Sequence, residues 1–268
     1  MEGLYLYCIR ERADDRSFSA KGIDGEGEVF ILPYQELEVV VSRVSLNEFT
    51  SDEIKKRAQE DLNWIKEKAL AHERVVEEAM RKNGRALSLI PMRFGTIFKD
   101  RAGLEEIFKK DYFKIMEVCE RIRGKQEWGV KVYLKERKRF EQEIRGKNEE
   151  IKAMERELAT LPEGMAYFME EELKEVISKE AEKELHNMTE SFFKSFKKEA
   201  VASIKNKTLE KELTGKSDPM VLNAAYLVPG ERIVDFKKRL DDLNQQIQKR
   251  GFYLEYSGPW PAYNFTFY

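Results

Sequence analysis

The sequence predicts an α+β chain of two domains, and three observations carry that prediction. Short apolar runs bounded by glycine, proline and polar clusters alternate with long segments whose apolar residues recur every three or four positions, so strands and helices are both present. The chain has 268 residues, enough for two ordinary hydrophobic cores. Around residues 124–126 one strand and helix series closes and another opens, which divides the chain into a mixed α+β domain, 1–125, and a second α+β domain, 126–268.

In the first domain, residues 4–9 are apolar or aromatic apart from the weakly polar Cys8, as in a central strand covered on both faces. Residues 10–28 hold Gly22, Gly25 and Gly27 among polar residues and read as a loop. Residues 29–32 and 37–44 are two further strands, and the intervening Pro33-Tyr34-Gln35-Glu36 is short enough for a hairpin. Thr50-Ser51-Asp52-Glu53 is a capping-box pattern, in which a hydroxyl accepts from first-turn amides while Glu53 reaches back to the cap. It opens one long helix with Ile54, Ala58, Leu62, Ile65, Ala69, Val76 and Ala79 on a stripe that also carries His72, stopped by Gly84.

The first domain is organised around residues 87–98, where Leu87, Leu89 and Ile90 are cut by Pro91 and followed by Met92-Arg93-Phe94-Gly95-Thr96-Ile97-Phe98. Because Gly95 breaks helix continuity and Pro91 cannot donate a ladder hydrogen bond, the run reads as a buried strand. Arg93 is then held away from full exposure, and its five donors call for a carboxylate, backbone carbonyls or a partner protein. Leu104, Ile107, Phe108, Ile115, Val118 and Ile122 place a helix over 100–122.

In the second domain, Val130, Val132 and Leu134 alternate as a strand within 128–134. Phe140, Ile144, Ile151, Met154, Leu158 and Leu161 recur in a Glu/Lys/Arg background and describe a helical arm broken at Leu161-Pro162-Glu163-Gly164. A second long helix follows to residue 213, with Phe168, Leu173, Ile177, Ala181, Leu185, Met188, Phe192, Phe196 and Ile204 inward, so that the whole arm covers 136–213. Phe192-Phe193 and Phe196 are alternatively an exposed patch for another protein, although helical spacing favours a core. A strand over 221–228, a helix over 231–249 and a strand over 252–256 complete the series. Strand, helices, strand, helix, strand is compatible with a ferredoxin-like sandwich carrying an inserted helical arm. In the tail, Gly258-Pro259-Trp260-Pro261-Ala262-Tyr263-Asn264-Phe265, two prolines hold the backbone extended around Trp260, which either closes over its own domain or anchors a partner.

The chemistry is defined largely by exclusion. Lys plus Arg number 48 against 50 Asp plus Glu, a net charge of -2, so no global field draws the chain to nucleic acid or anionic membrane. Cys8 and Cys119 lie far apart with no CxxC spacing, which argues for a reducing cytoplasm and against a disulfide framework or metal cage. Residues 1–5 lack the features of a signal peptide, and no run approaches the ~18 apolar residues of a membrane span. His72 reads as a core imidazole, because no Ser or Cys nucleophile stands at helical contact spacing. Gly215-Lys216-Ser217 fails as a phosphate loop: Glu210 stands where the earlier glycine is required, and no strand precedes it. No catalytic residue, metal or cofactor is therefore assigned.

Several strings together identify a resemblance. They are Tyr5-Leu6-Tyr7; Leu37 with Val40-Val41-Ser42 and Val44; Leu62, Trp64, His72 and Val76; Pro91-Met92-Arg93-Phe94-Gly95-Thr96; and Gly129-Val130-Lys131-Val132. They continue with Gly164 and Ala166-Tyr167, Ala225-Tyr226-Leu227-Val228, and Gly258-Pro259-Trp260-Pro261 with Tyr263 and Phe265. The chain resembles the gas vesicle protein F and L family over nearly its whole length. It departs at Cys8, where members commonly have glycine, and at Ala262, where they commonly have a second proline; the 136–161 arm matches only in character. The resemblance implies a cytoplasmic, vesicle-associated accessory protein of gas vesicle assembly that binds the small hydrophobic major shell protein early in assembly, with other accessory proteins as further partners, and two α+β domains of which the second is ferredoxin-like. Shielding an apolar shell subunit from aggregation calls for an apolar groove with a polar rim, by helix-in-groove or strand addition. Candidate partner-binding residues are Arg93, Phe192, Phe196, Trp260 and Tyr263. The rival readings are an RNA-binding ferredoxin-like protein, against which the near-neutral charge weighs, and an enzyme using His72 with Glu73 or a buried carboxylate.

Overall fold

The structure is a computed structural model that describes residues 1–13, 17–82 and 85–266. It divides into two compact units, Met1–Glu127 with Gly258–Tyr268, and Trp128–Ser257.

The first unit is built on β1 (Glu2–Glu11), which lies inside an antiparallel sheet with β2 (Val29–Tyr34) and β3 (Leu37–Ser45) on one side. Two helices follow, α1 (Ser51–Glu60) and α2 (Leu62–Met80), then the short strands β4 (Arg81–Lys82), β5 (Arg85–Ala86), β6 (Leu89–Pro91) and β7 (Ile97–Phe98), and α3 (Arg101–Ile122). The order is β2-β3-β1-β6, with β7 also on β1. Both faces of β1 are covered, as its unbroken apolar run predicts. A bulge between Leu6 and Cys8 interrupts the register with β3. Tyr5, Tyr7, Val40 and Val44 belong to the same buried cluster as Val75, Val76 and Ala79 of α2.

Four expectations for this unit need correction. The single helix over 50–84 is two, because Asp61 ends α1 in an extended conformation (φ -137°) and its carboxylate then caps α2, accepting from Asn63 N and Trp64 N, both at 3.0 Å. Leu62, on the predicted stripe, is consequently exposed. The capping box is half formed: Thr50 Oγ1 accepts from Glu53 N, while Glu53 is engaged by Arg57 instead of reaching back. Gly84, the expected stop, lies outside the described residues, and α2 ends at Met80. Residues 87–98 are not one buried strand, since only β6 and β7 pair. Between them Gly95 adopts φ +83° and Thr96 N donates to Arg93 O at 3.2 Å, a tight turn that glycine permits. Arg93 stands on that turn and is exposed. The buried guanidinium of this unit is Arg10, 2% exposed, which donates to Glu38 at 3.2 Å and to Ala79 O at 2.8 Å.

The second unit begins within β8 (Lys125–Leu134), continues through α4 (Arg137–Lys147), α5 (Glu149–Leu158), α6 (Glu163–Ser195), β9 (Ala202–Lys205), α7 (Lys211–Thr214), β10 (Met220–Pro229) and α8 (Ile233–Gln248), and ends within β11 (Phe252–Trp260); a short α9 (Tyr263–Thr266), grouped with the first unit, ends the described chain. Its sheet has the order β11-β8-β10-β9. Counted along this unit, that is fourth, first, third, second, with helices in the first and last connections, the element order of the split β-α-β motif. Trp128, Val130, Val132 and Leu134 supply alternate residues of β8 to a core shared with Phe140, Ile144, Ile151, Phe236, Leu240 and Ile247.

The helical arm is shorter and more broken than its periodicity predicts. Asn148 separates α4 from α5, its side chain accepting from Glu150 N at 2.9 Å and Ile151 N at 3.1 Å. The long helix ends at Ser195 and not at 213, so Ile204 belongs to β9 and is exposed. Phe168, expected inward, is 76% exposed. It lies five residues before Leu173, about 140° around a helix, and therefore off the buried stripe. The tail also departs from the expected boundary. Assigned by sequence to 126–268, it packs with the first unit.

Candidate functional site

Around His72 the structure gathers three strings distant in sequence: the start of β1, the 91–96 turn and the tail. Successive positions of period two put Tyr5 and Tyr7 on the α2 side of β1, and their rings pack against the imidazole at 5.7 and 5.6 Å between centroids. Phe94 closes over Tyr5 and His72 in edge contacts of 6.4 and 6.2 Å. The hydrogen bonds form a directed chain. Gly95 N donates to Tyr5 Oη at 3.0 Å, and Tyr5 Oη lies 3.0 Å from His72 Nδ1. On the other side Tyr263 Oη donates to Glu73 Oε1 at 2.7 Å and lies 3.2 Å from His72 Nε2. Since the Tyr263 proton goes to Glu73, Nε2 carries the imidazole proton and Nδ1 accepts from Tyr5, an assignment made from the network.

The electrostatics follow from burial. His72 is 2% exposed, and desolvation pulls its pKa down to about 4 against the opposing Met92 carbonyl. Burial likewise pushes the Tyr5 and Tyr263 hydroxyls upward, Tyr7 to about 12 and the Cys8 thiol to about 12. A neutral imidazole engaged at both nitrogens acts here as a structural joint between β1 and the tail. Among the described residues no three His, Cys, Asp or Glu side chains are gathered as a metal site.

The tail is clasped at further points. Asn264 donates through its backbone N (2.9 Å) and Nδ2 (2.6 Å) to the two carboxylate oxygens of Glu127, and Arg121 donates to Phe265 O at 2.9 Å. Burial raises Glu127 to about 7, against the lowering effect of these two bonds. The tail thus closes over its own unit, yet Trp260 remains 42% exposed on a backbone already ordered.

Of the residues singled out from sequence, Arg93 is exposed on its turn, Trp260 is half-exposed and Tyr263 is the hydroxyl joining His72 to Glu73. Phe192 and Phe196 are buried in the second unit, in edge contact with Phe252 and with Tyr226 and Phe236, which is the core alternative of the sequence reading. Sequence reasoning names Glu73 only as a partner of His72 in the enzyme alternative, and it gives no site role to Tyr5, Tyr7, Glu127 or Asn264. The two-residue spacing of the tyrosines was a usable signal; for Glu127 and Asn264, 137 positions apart, there was none.

The family model described as gas vesicle synthesis protein GvpL/GvpF matches residues 3–266. This chain belongs to that family. It is 29% identical to gas vesicle protein L of Streptomyces sp. (strain CB03234) over 98% of this chain and 92% of the relative, and 25% identical to gas vesicle protein F1 of Halobacterium salinarum over 99% and 93%. In three dimensions it is similar to the crystal structure of GvpF from Anabaena sp. PCC7120, with a TM-score of 0.77 at 18% identity, covering 100% of this chain and 99% of that one. The structure of GvpF from Microcystis aeruginosa matches with a TM-score of 0.67 at 19% identity, covering 99% of each chain. The fold is therefore that of GvpF structures, and the chain has a role in gas vesicle formation. Among the described residues no helix is long and apolar enough to cross a membrane.

Proposed function

We propose that this protein binds the apolar major shell protein of the gas vesicle and holds it soluble until it is added to the growing wall. Family membership supplies the setting, and the observation that carries the reading is Trp260. Between Pro259 and Pro261, on a tail clasped through Tyr263, Asn264 and Phe265, its aromatic surface is offered without further ordering of the backbone. Tryptophan is the residue type most enriched among interface anchors, and pre-ordering lowers the entropic cost of using it. Arg93, exposed on the 93–96 turn, is the candidate polar contact of the same unit.

Co-expression of the tagged chain with the major shell protein, followed by co-purification, tests this. The shell protein is expected in the soluble eluate with wild type and depleted by about ten-fold or more with Trp260→Ala, the loss of an anchor worth ~2 kcal/mol. Each variant is first checked for an unchanged melting transition. Shell protein that stays insoluble with folded wild type rejects the proposal.

A further inference from the structure

Helix α6 has two parts with different surfaces. From Leu173 onward, Leu173, Ile177, Ala181, Met188 and Phe192 are buried in the second unit. Before Leu173 no described residue of α6 is buried. There Met165, Tyr167 and Phe168 are 61%, 63% and 76% exposed, and the Tyr167 and Phe168 rings meet edge to face at 5.9 Å. At about 100° per residue, both rings lie roughly 120–140° from the direction of Leu173, beyond the reach of the core that Leu173 enters. Scattered exposed apolar residues are ordinary on a protein surface, whereas three large ones within a single helical turn make a contiguous apolar patch of the kind that marks interaction sites. Their backbone is set, since Met165 N and Ala166 N both donate to Pro162 O, at 2.9 and 3.0 Å.

The charge beside this surface is one-sided. Between residues 164 and 175 stand Glu170, Glu171, Glu172 and Glu175 against Lys174, a net charge of -3 where the whole chain carries -2. Lys174 is itself engaged by Glu171 at 2.7 Å. Three consecutive glutamates span about 200° of the helix circumference, so the aromatic turn is followed by a collar of carboxylates. We propose that this end of α6 docks a basic amphipathic helix of a partner protein, whose apolar face covers Met165, Tyr167 and Phe168 while its Lys or Arg side chains meet Glu170–Glu172. The apolar contact supplies affinity, and the collar supplies orientation and rejects acidic partners. The same collar repels an anionic lipid surface. The proposal does not rest on the Trp260 contact.

The test uses the full chain and two labelled synthetic peptides, an amphipathic helix with a leucine face and a Lys/Arg polar face, and its counterpart with Glu at every basic position. Fluorescence anisotropy is expected to give binding about ten-fold or more tighter for the basic peptide, weakening at high salt. The double variant Tyr167→Ser, Phe168→Ser keeps every charge and is expected to lose about ten-fold or more of that affinity. The double variant Glu170→Lys, Glu172→Lys keeps the aromatics and is expected to lose the preference for the basic peptide. Trp260→Ala is expected to bind the basic peptide as wild type does. Equal binding of the two peptides, or full affinity in the serine variant, overturns the proposal. So does a concentration-dependent dimer that the serine variant abolishes, because the occupant is then a second copy of this chain. Binding to phosphatidylserine vesicles in preference to the peptide does so as well.

Discussion

At the scale of single residues, two buried groups of the first unit respond to pH in opposite senses. Burial raises Glu127 from the ordinary 4.5 to about 7, so the folded chain holds its proton more tightly than the unfolded chain, and the stability this contributes is lost as pH rises from 4.5 through 7. Burial lowers His72 from 6.5 to about 4, so its contribution is complete above 6.5 and lost as pH falls toward 4. Each amounts to about 3 kcal/mol, and between pH 4.5 and 6.5 they largely cancel. Glu127→Gln removes one side of the balance. Relative to wild type, the variant is expected to gain about 3 kcal/mol more stability between pH 4.5 and 7, measured by urea unfolding at a series of pH values; parallel profiles would show that Glu127 does not titrate as described. Residue-level legibility was uneven for a related reason. The 87–98 run predicts a buried, multiply paired arginine at Arg93, whereas Arg10 occupies that role. Local sequence indicates apolar surroundings, but which guanidinium they enclose depends on Glu38 and Ala79 arriving from other elements.

At the scale of elements, helix breaks escaped the periodicity because their causes are single polar side chains. Asp61 and Asn148 each end one helix and cap the next without disturbing the apolar spacing on either side. The tail is the element whose chemistry most exceeds its sequence signal. Tyr263 ties it to α2 through one hydroxyl shared between Glu73 and His72. Tyr263→Phe preserves the ring and removes that hydroxyl, taking one hydrogen-bond partner each from Glu73 and the buried His72, and is expected to cost about 1–3 kcal/mol. Amide exchange should quicken at Asn264 and Phe265 in the variant; unchanged protection there would mean that Glu127 and Arg121 hold the tail by themselves.

At the scale of the whole molecule, the chain leaves the first unit at Glu127 and returns to it at Gly258, so the first unit is completed only by its last segment. A chain ended after Ser257 lacks Tyr263 and Asn264, which satisfy Glu73, His72 and Glu127. Hydrogen exchange is expected to show loss of protection in β1 and α2, with β10 and α8 retaining theirs. Equal loss in both units would indicate that they unfold as one cooperative body.

The α+β class, the course of β1, β2 and β3, the amphipathic helices α3 and α8, and the family are all legible in the linear chain, because each rests on local periodicity or on rare strings such as Pro91–Thr96 and Gly258–Pro261. Hydrophobic periodicity is a local property that survives without knowledge of partners. Three-dimensional packing is needed to show that the tail belongs to the first unit, that His72 is wired between Tyr5 and Tyr263, and that Phe168 faces outward while Phe196 faces in. Those outcomes depend on contacts between residues tens to nearly two hundred positions apart, on the rotation of a helix about its own axis, and on which buried donors and acceptors find one another, and a linear pattern encodes none of these directly.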